Sequence, residues 1–82
     1  MIKEIVVPQT DESSTTAVIT IQFAKVGTYI EEGEVICELE TDKATLEISA
    51  TYAGELIWLV EEGAVLEAGE TLAKIDVNKK EE

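Results

Sequence analysis

Lys43 is the residue of this 82-residue chain best placed to take part in chemistry. It lies in Glu40-Thr41-Asp42-Lys43-Ala44, between two runs that alternate apolar and polar residues. Val35, Cys37 and Leu39 share one face of the first run; Leu46, Ile48 and Ala50 share one face of the second. Period-2 alternation is the mark of half-buried strands. Only Thr41, Asp42 and Lys43 separate the runs, and Asp suits the early positions of a tight turn. The stretch therefore predicts a β-hairpin with one amine at its tip. A lysine held there is offered to solvent on a rigid support. Glu38, Glu40, Asp42 and Glu47 surround it with negative charge, which favours the ammonium form. Schiff-base chemistry needs the opposite, a lysine with a depressed pKa. If Lys43 has a role, it is as an acceptor for a group that another enzyme activates. The bland alternative is a turn lysine that is simply solvated.

Other chemistries are excluded by composition. The chain has no histidine, so it has no histidine base, no catalytic triad and no His-ligated metal. Its one cysteine, Cys37, cannot form an intrachain disulfide, fits a reducing compartment, and sits on the apolar side of its strand as core packing. Eighteen acids against six basic residues give a formal net charge of −12. Such a surface repels nucleic acid and anionic membranes and favours cationic protein partners. No run approaches the roughly 18 apolar residues of a membrane span, and the first residues lack the look of a signal or transit peptide. The expectation is a single cytoplasmic β-domain near the size at which one core suffices.

The elements that must hold the hairpin follow in chain order. Residues 2–7 form a β-branched strand ended by Pro8, which cannot donate to a ladder. Residues 9–16 are polar and read as a loop. Residues 17–23 return to strand character. Gly27 and Gly33 bracket a five-residue turning link, and Gly63 and Gly69 bracket another. Between these links come the Lys43 strand pair, a break at Tyr52-Ala53-Gly54, and a strand over 56–60. Residues 71–77 form the last strand. Residues 1–77 make the domain, and 78–82 read as the start of a flexible linker.

Sliding the chain by 36 residues superimposes Gly27 on Gly63, Glu31 on Glu67, Gly33 on Gly69, Glu34 on Glu70, Leu39 on Ile75 and Lys43 on Lys79. The same shift sets Ile21 on Ile57 and Phe23 on Leu59. One such repeat cannot bury its own apolar face, so two should close on each other. The expected architecture is all-β: two small antiparallel sheets related by a pseudo-two-fold axis, a flattened barrel or sandwich of the barrel-sandwich hybrid type. Under that symmetry the hairpin lies at the end opposite the termini. Alternation assigns Ile19, Ile21, Phe23, Val35, Cys37, Leu39, Leu46, Ile48, Ile57, Leu59, Ala73 and Ile75 to the interior and leaves Trp58 partly exposed.

The hairpin motif, followed by Thr45-Leu46-Glu47-Ile48, resembles the lipoylation motif of lipoyl domains, which form the N-terminal part of the acyltransferase component of 2-oxo acid dehydrogenase complexes. Val6-Val7-Pro8 with Glu12-Ser13 is similar to the family's opening strand and loop. Lys25-Val26-Gly27, Glu32-Gly33-Glu34, Ala53-Gly54 and Glu62-Gly63 resemble its turns. Asp11 and Thr28 depart from the family's usual residues, both in surface loops.

The resemblance implies that Lys43 carries lipoate in amide linkage, which removes its charge and extends it into a long arm. Thr41, Asp42 and Ala44 would form the presenting turn, and Glu38, Glu40 and Glu47 are candidates for recognition. The implied partners are a lipoate ligase or lipoyl transferase, a thiamine-diphosphate 2-oxo acid decarboxylase, the acyltransferase core and dihydrolipoamide dehydrogenase, with the isolated domain a monomer. The domain alone is not an enzyme on this reading; it is part of a dihydrolipoyllysine-residue acetyl- or succinyltransferase, in a bacterial cytoplasm or, after loss of a transit peptide, a mitochondrial matrix. A biotinyl carrier shares the fold and the lysine position, but that family flanks its lysine with methionine, whereas Asp42 and Ala44 flank Lys43. A structural β-domain with an unmodified lysine is the third alternative.

Overall fold

The structure, a computed structural model, describes residues 1–8, 16–42 and 44–78. Eight strands account for most of them: β1 (Ile2–Val6), β2 (Thr16–Gln22), β3 (Tyr29–Ile30), β4 (Val35–Glu40), β5 (Thr45–Ser49), β6 (Gly54–Leu59), β7 (Val65–Glu67) and β8 (Thr71–Asp76). They form two antiparallel four-stranded sheets, ordered β1-β8-β6-β3 and β5-β4-β2-β7. The all-β, two-sheet expectation holds. Each of the two five-residue links contains a short strand, β3 and β7, and these complete the sheets. The polar loop is outside the described residues except for Thr16, and so is the linker except for Asn78.

The two sheets match rung by rung. Along β4–β5 the partners are Glu40 with Thr45, Leu39 with Leu46, Glu38 with Glu47, Cys37 with Ile48 and Val35 with Ser49. Along β8–β1 they are Asp76 with Ile2, Ile75 with Lys3, Lys74 with Glu4, Ala73 with Ile5 and Thr71 with Val6. The register shifts at the same rung in both ladders. The corresponding turns share hydrogen bonds: Gly33 N–H donates to the Ala50 carbonyl at 2.8 Å and Gly69 N–H to that of Val7 at 2.9 Å. Both glycines have φ of 91°, a region that a side chain strongly disfavours. The repeated strand-opening glutamate, Glu34 and Glu70, is also explained by its carboxylate. Glu31 N–H donates to the Glu34 carboxylate at 3.0 Å, and Glu67 N–H to that of Glu70 at 3.3 Å.

β2 and β6 are equivalent at a shift of 37 residues, not 36. Ile19 opposite Leu39 corresponds to Leu56 opposite Ile75, and Ile21 opposite Glu38 to Trp58 opposite Lys74. Phe23 N–H bonds the Ile36 carbonyl as Val60 N–H bonds that of Leu72. Three residues lie between Phe23 and Gly27 and only two between Val60 and Gly63. The connection from β2 to Gly27 is longer by one than that from β6 to Gly63, which a uniform slide of the sequence cannot accommodate.

The core comprises matched pairs: Ile19 with Leu56, Ile36 with Leu72, Leu39 with Ile75, Ile30 with Leu66, Ile48 with Ile5 and Ala50 with Val7, all buried. Of the residues expected inside, Ile19, Cys37, Leu39, Ile48, Leu59, Ala73 and Ile75 are buried, while Val35, Leu46 and Ile57 are half-buried. Ile21 and Phe23 are not interior; they are 38% and 52% exposed. The cause is the register shift between Ile19 and Ile21: one extra residue in a period-2 strand sends everything beyond it to the other face. A like shift puts adjacent Ile36 and Cys37 both inside, so the alternation that assigned Ile36 outward fails there. Trp58 is exposed, as expected, with Lys74 Nζ 5.9 Å from its ring centre.

Candidate functional site

The hairpin turn is closed by four groups on Thr41 and Ala44. Thr41 N–H donates to the Ala44 carbonyl at 2.8 Å. Thr41 Oγ1 donates to the same carbonyl at 3.2 Å and accepts from Ala44 N–H at 3.1 Å. A threonine hydroxyl that bonds nearby backbone in this way stands in for a ladder and favours a turn. Thr41 is half-buried, while Asp42 and Ala44 are exposed. Lys43 lies outside the described residues; what the structure describes is the frame on either side of it. Beneath the turn, Leu39 and Leu46 oppose each other across the ladder. Leu39 is wholly buried and Leu46 packs against the core, so the hairpin is anchored almost up to its tip.

The tip and the chain ends occupy opposite poles. β2 starts beside Glu40 and runs away from the hairpin. The chain continues in that direction through β3, which pairs with β6 at Gly54 and Glu55, and Glu55 pairs with Asp76. There Val77 N–H bonds the Met1 carbonyl at 3.0 Å.

The three glutamates singled out in the sequence share the outer face of β4–β5. Glu38 and Glu47 are direct cross-strand partners, and Glu40 faces Thr45 two pairs further toward the tip. Glu38 is half-buried and accepts a hydrogen bond from Thr20 Oγ1 at 2.7 Å; Glu40 and Glu47 are exposed. Thr20 has no sequence signal, because it reaches Glu38 across strands from 18 residues away. Next to the acids on β2 and β7 stand Val18, which pairs with both Glu40 and Val65, and Ile21, which pairs with Glu38. Cys37 is fully buried, and burial pushes its thiol up to about 11. A thiol held protonated is a poor nucleophile, so Cys37 is packing material.

The described frame is a clamped turn flanked by acidic residues. Comparison with known proteins identifies the family. The sequence model of the biotin/lipoyl family, described as "Biotin-requiring enzyme", matches residues 3–75. The dihydrolipoyllysine-residue succinyltransferase component of the 2-oxoglutarate dehydrogenase complex of Staphylococcus saprophyticus is 38% identical over 73 residues, 88% of this chain and 17% of that protein. The lipoamide acyltransferase component of the mitochondrial branched-chain complex of Arabidopsis thaliana is 33% identical over 70 residues, 84% of this chain and 14% of that protein. The chain thus spans under a fifth of the length of these relatives. The solution structure of the lipoyl domain of the Azotobacter vinelandii 2-oxoglutarate dehydrogenase complex superposes with a TM-score of 0.72 at 30% identity, covering 89% of this chain and 94% of that one. Two matched sheets, a threonine-clamped hairpin and these likenesses lead to one conclusion: the chain belongs to the biotin/lipoyl family and is a lipoyl-type domain.

Proposed function

We propose that Lys43 is the attachment residue for lipoate and that the chain is the swinging-arm carrier of a 2-oxo acid dehydrogenase acyltransferase, the succinyl-transferring type in particular. The observation that carries this reading is the Thr41–Ala44 clamp, which frames the one lysine between two strands at the pole away from the termini. The substrate reading is supported by the 2-oxoglutarate names of the relatives. Bound in amide linkage, lipoate supplies a dithiolane that takes up acyl groups and electrons. The chain's own residues do the rest. Thr41 and Ala44 fix the turn, Asp42 and Ala44 keep its flanks small and open, and the anchored ladder sets the direction in which the arm leaves. Tethering near a decarboxylase, an acyltransferase core and a dihydrolipoamide dehydrogenase raises the effective concentration of the arm at each. A lipoate ligase or lipoyl transferase would load it.

The test is intact mass after incubation with lipoate ligase and, in parallel, biotin ligase. One lipoyl increment, absent in Lys43→Arg, is expected from the first and none from the second. A biotin increment assigns the chain to the biotinyl carriers, and no increment with either leaves an unmodified β-domain. Reductive acylation by purified 2-oxoglutarate decarboxylase, compared with the pyruvate enzyme, then tests the substrate; faster turnover by the pyruvate enzyme overturns the succinyl assignment.

A further inference from the structure

The two corners where the chain crosses between the sheets follow equivalent paths and differ in chemistry. After β2 comes Phe23-Ala24-Lys25-Val26, apolar and basic; after β6 comes Val60-Glu61-Glu62, largely acidic. Ile21 stands in the first half where Trp58 stands in the second. The acidity of the second corner is therefore not imposed by the fold. There Trp58, Leu59, Val60, Glu61, Glu62 and Ala64 line a groove of about 360 Å³. Its rim is held in place from β2. Gln22 Nε2 donates to the Val60 carbonyl at 2.8 Å, and Gln22 N–H donates to Glu62 Oε2 at 2.8 Å. Glu62 Oε1 and the Glu61 carboxylate have no partner among the described residues. Trp58 is 43% exposed and already draws a cation, with Lys74 Nζ 5.9 Å from its ring centre. Lys74 itself faces Glu4 across the ladder, which offsets its charge.

We propose that this groove is a binding site for an arginine side chain carried on an extended segment of a protein partner. A guanidinium is flat, so it stacks on an indole ring while its N–H groups reach a carboxylate. Because Gln22 already pins Glu62, the free oxygen gives up little further freedom when it accepts such a bond. Leu59, Val60 and Ala64 would meet the methylene stem. Other ligand chemistries fit less well. An anion meets Glu61, Glu62 and a chain of formal net charge −12, and an apolar ligand would desolvate the two carboxylates without pairing them. The groove lies about midway along the molecule. Val60 N–H bonds the Leu72 carbonyl near the start of β8, and Gln22 pairs with Cys37 near the start of β4. A segment seated there leaves the hairpin at one pole and the chain ends at the other uncovered. The site does not depend on what Lys43 carries.

The test uses the full chain, in which Trp58 is the one tryptophan and so reports the groove directly. The probe is a capped alanyl-arginyl-alanine tripeptide, titrated at constant ionic strength. Peptides with lysine or citrulline in place of arginine are the comparisons; citrulline keeps the planar shape and removes the charge. The arginine peptide is expected to give a saturable change in tryptophan fluorescence and to shift the amide resonances of Gln22 and Gly63. The lysine peptide should bind several-fold more weakly, and the citrulline peptide should give no saturable change. Glu62→Gln keeps an oxygen for Gln22 N–H and removes the charge. It should leave the melting temperature unchanged and weaken binding about three- to fivefold, the range of an exposed ion pair. Trp58→Leu, followed by the amide shifts, should weaken it as well. Glu55→Gln makes the same change in net charge at the other end of β6 and should leave binding unchanged. No saturable response to the arginine peptide overturns the proposal. So does an equal response to the citrulline peptide, and so does an equal loss in Glu55→Gln, which would make the effect bulk charge. Equal binding of the lysine peptide overturns the assignment to arginine.

Discussion

The hairpin β4–β5 and the terminal pair β8–β1 are the same piece of structure put to different uses. Their ladders match partner for partner, register shift included. One is closed by a turn clamped between Thr41 and Ala44, and the other is left open as the two ends of the chain. Both anchor through equivalent core residues, Leu39 and Ile75, each wholly buried. The difference teaches that packing sets the fold while connectivity decides which pole presents something. The apolar rungs are common to both pairs; what differs is the turn and the charged outer rows.

The most severe test of that equivalence is Leu39→Ala beside Ile75→Ala. Each empties a wholly buried site, and the two should cost similar amounts, about 2–5 kcal/mol, read as urea midpoints at equal m-value. A domain of this size has little to spare, so either variant approaches global unfolding. Losses that differ by more than about 1.4 kcal/mol, tenfold in the folding constant, would show that one half carries the other.

A second contrast is sharper in geometry. Ala17 and Gly54 are counterparts, opposite Leu66 and Ile30 respectively. A Cβ on Gly54 would run into the Asp76 carbonyl and the Ile75 side chain, whereas Ala17 carries its Cβ in a buried site. Gly54→Ala should cost about 1–3 kcal/mol by overpacking, and Ala17→Gly about 0.5–1 kcal/mol by backbone entropy. Thermal melts of the pair check the order.

Cys37 and Ala73 also correspond. Cys37→Ala makes the halves alike there and should cost about 1 kcal/mol at neutral pH, roughly one buried methylene equivalent. It should also remove a pH dependence. The folded thiol titrates near 11 against an ordinary 9.0, so above pH 9 the unfolded chain sheds a proton that the folded chain keeps. Stability from this group is complete below pH 9 and is lost as pH rises toward 11. Denaturation between pH 8 and 11 should show the wild type falling faster than the variant.

Smallest of all, Thr41→Ala removes the hydroxyl bonds at an exposed turn and should cost under about 1 kcal/mol. Its effect should be local: faster hydrogen exchange at Ala44 N–H and slower lipoylation, with the β8–β1 pair unaffected.

Much of the fold is legible in the sequence, and the misses have one physical source. Glycine spacing and the Glu-x-Gly-Glu repeat declare two halves, and alternation places β4, β5 and β8 within a residue. The glutamates and the turn residues around Lys43 are visible as a motif. Alternation misplaces Ile21 and Phe23 because a one-residue register shift leaves no compositional trace, yet inverts every side chain after it. The longer connection after β2, Ala24, Lys25 and Val26, likewise pairs Ile21 with Ile57 in a uniform slide when its structural counterpart is Trp58. The pairing of Glu4 with Lys74, where the other sheet sets Glu47 against Glu38, needs the ladder partners, because Glu4 and Lys74 are 70 residues apart in the chain and adjacent in space.

The hydrogen bond from Val77 to Met1 has a topological consequence. Since the first and last strands already lie side by side in the register of a hairpin, a short suture between them would close the chain into a ring with two equivalent corners. Reopening that ring between Asp42 and Ala44 would give a circular permutant with every rung of both ladders intact, and new ends at the pole opposite the old ones. Such a molecule should melt much as its parent does, which would separate what the sheets specify from what the order of the strands specifies.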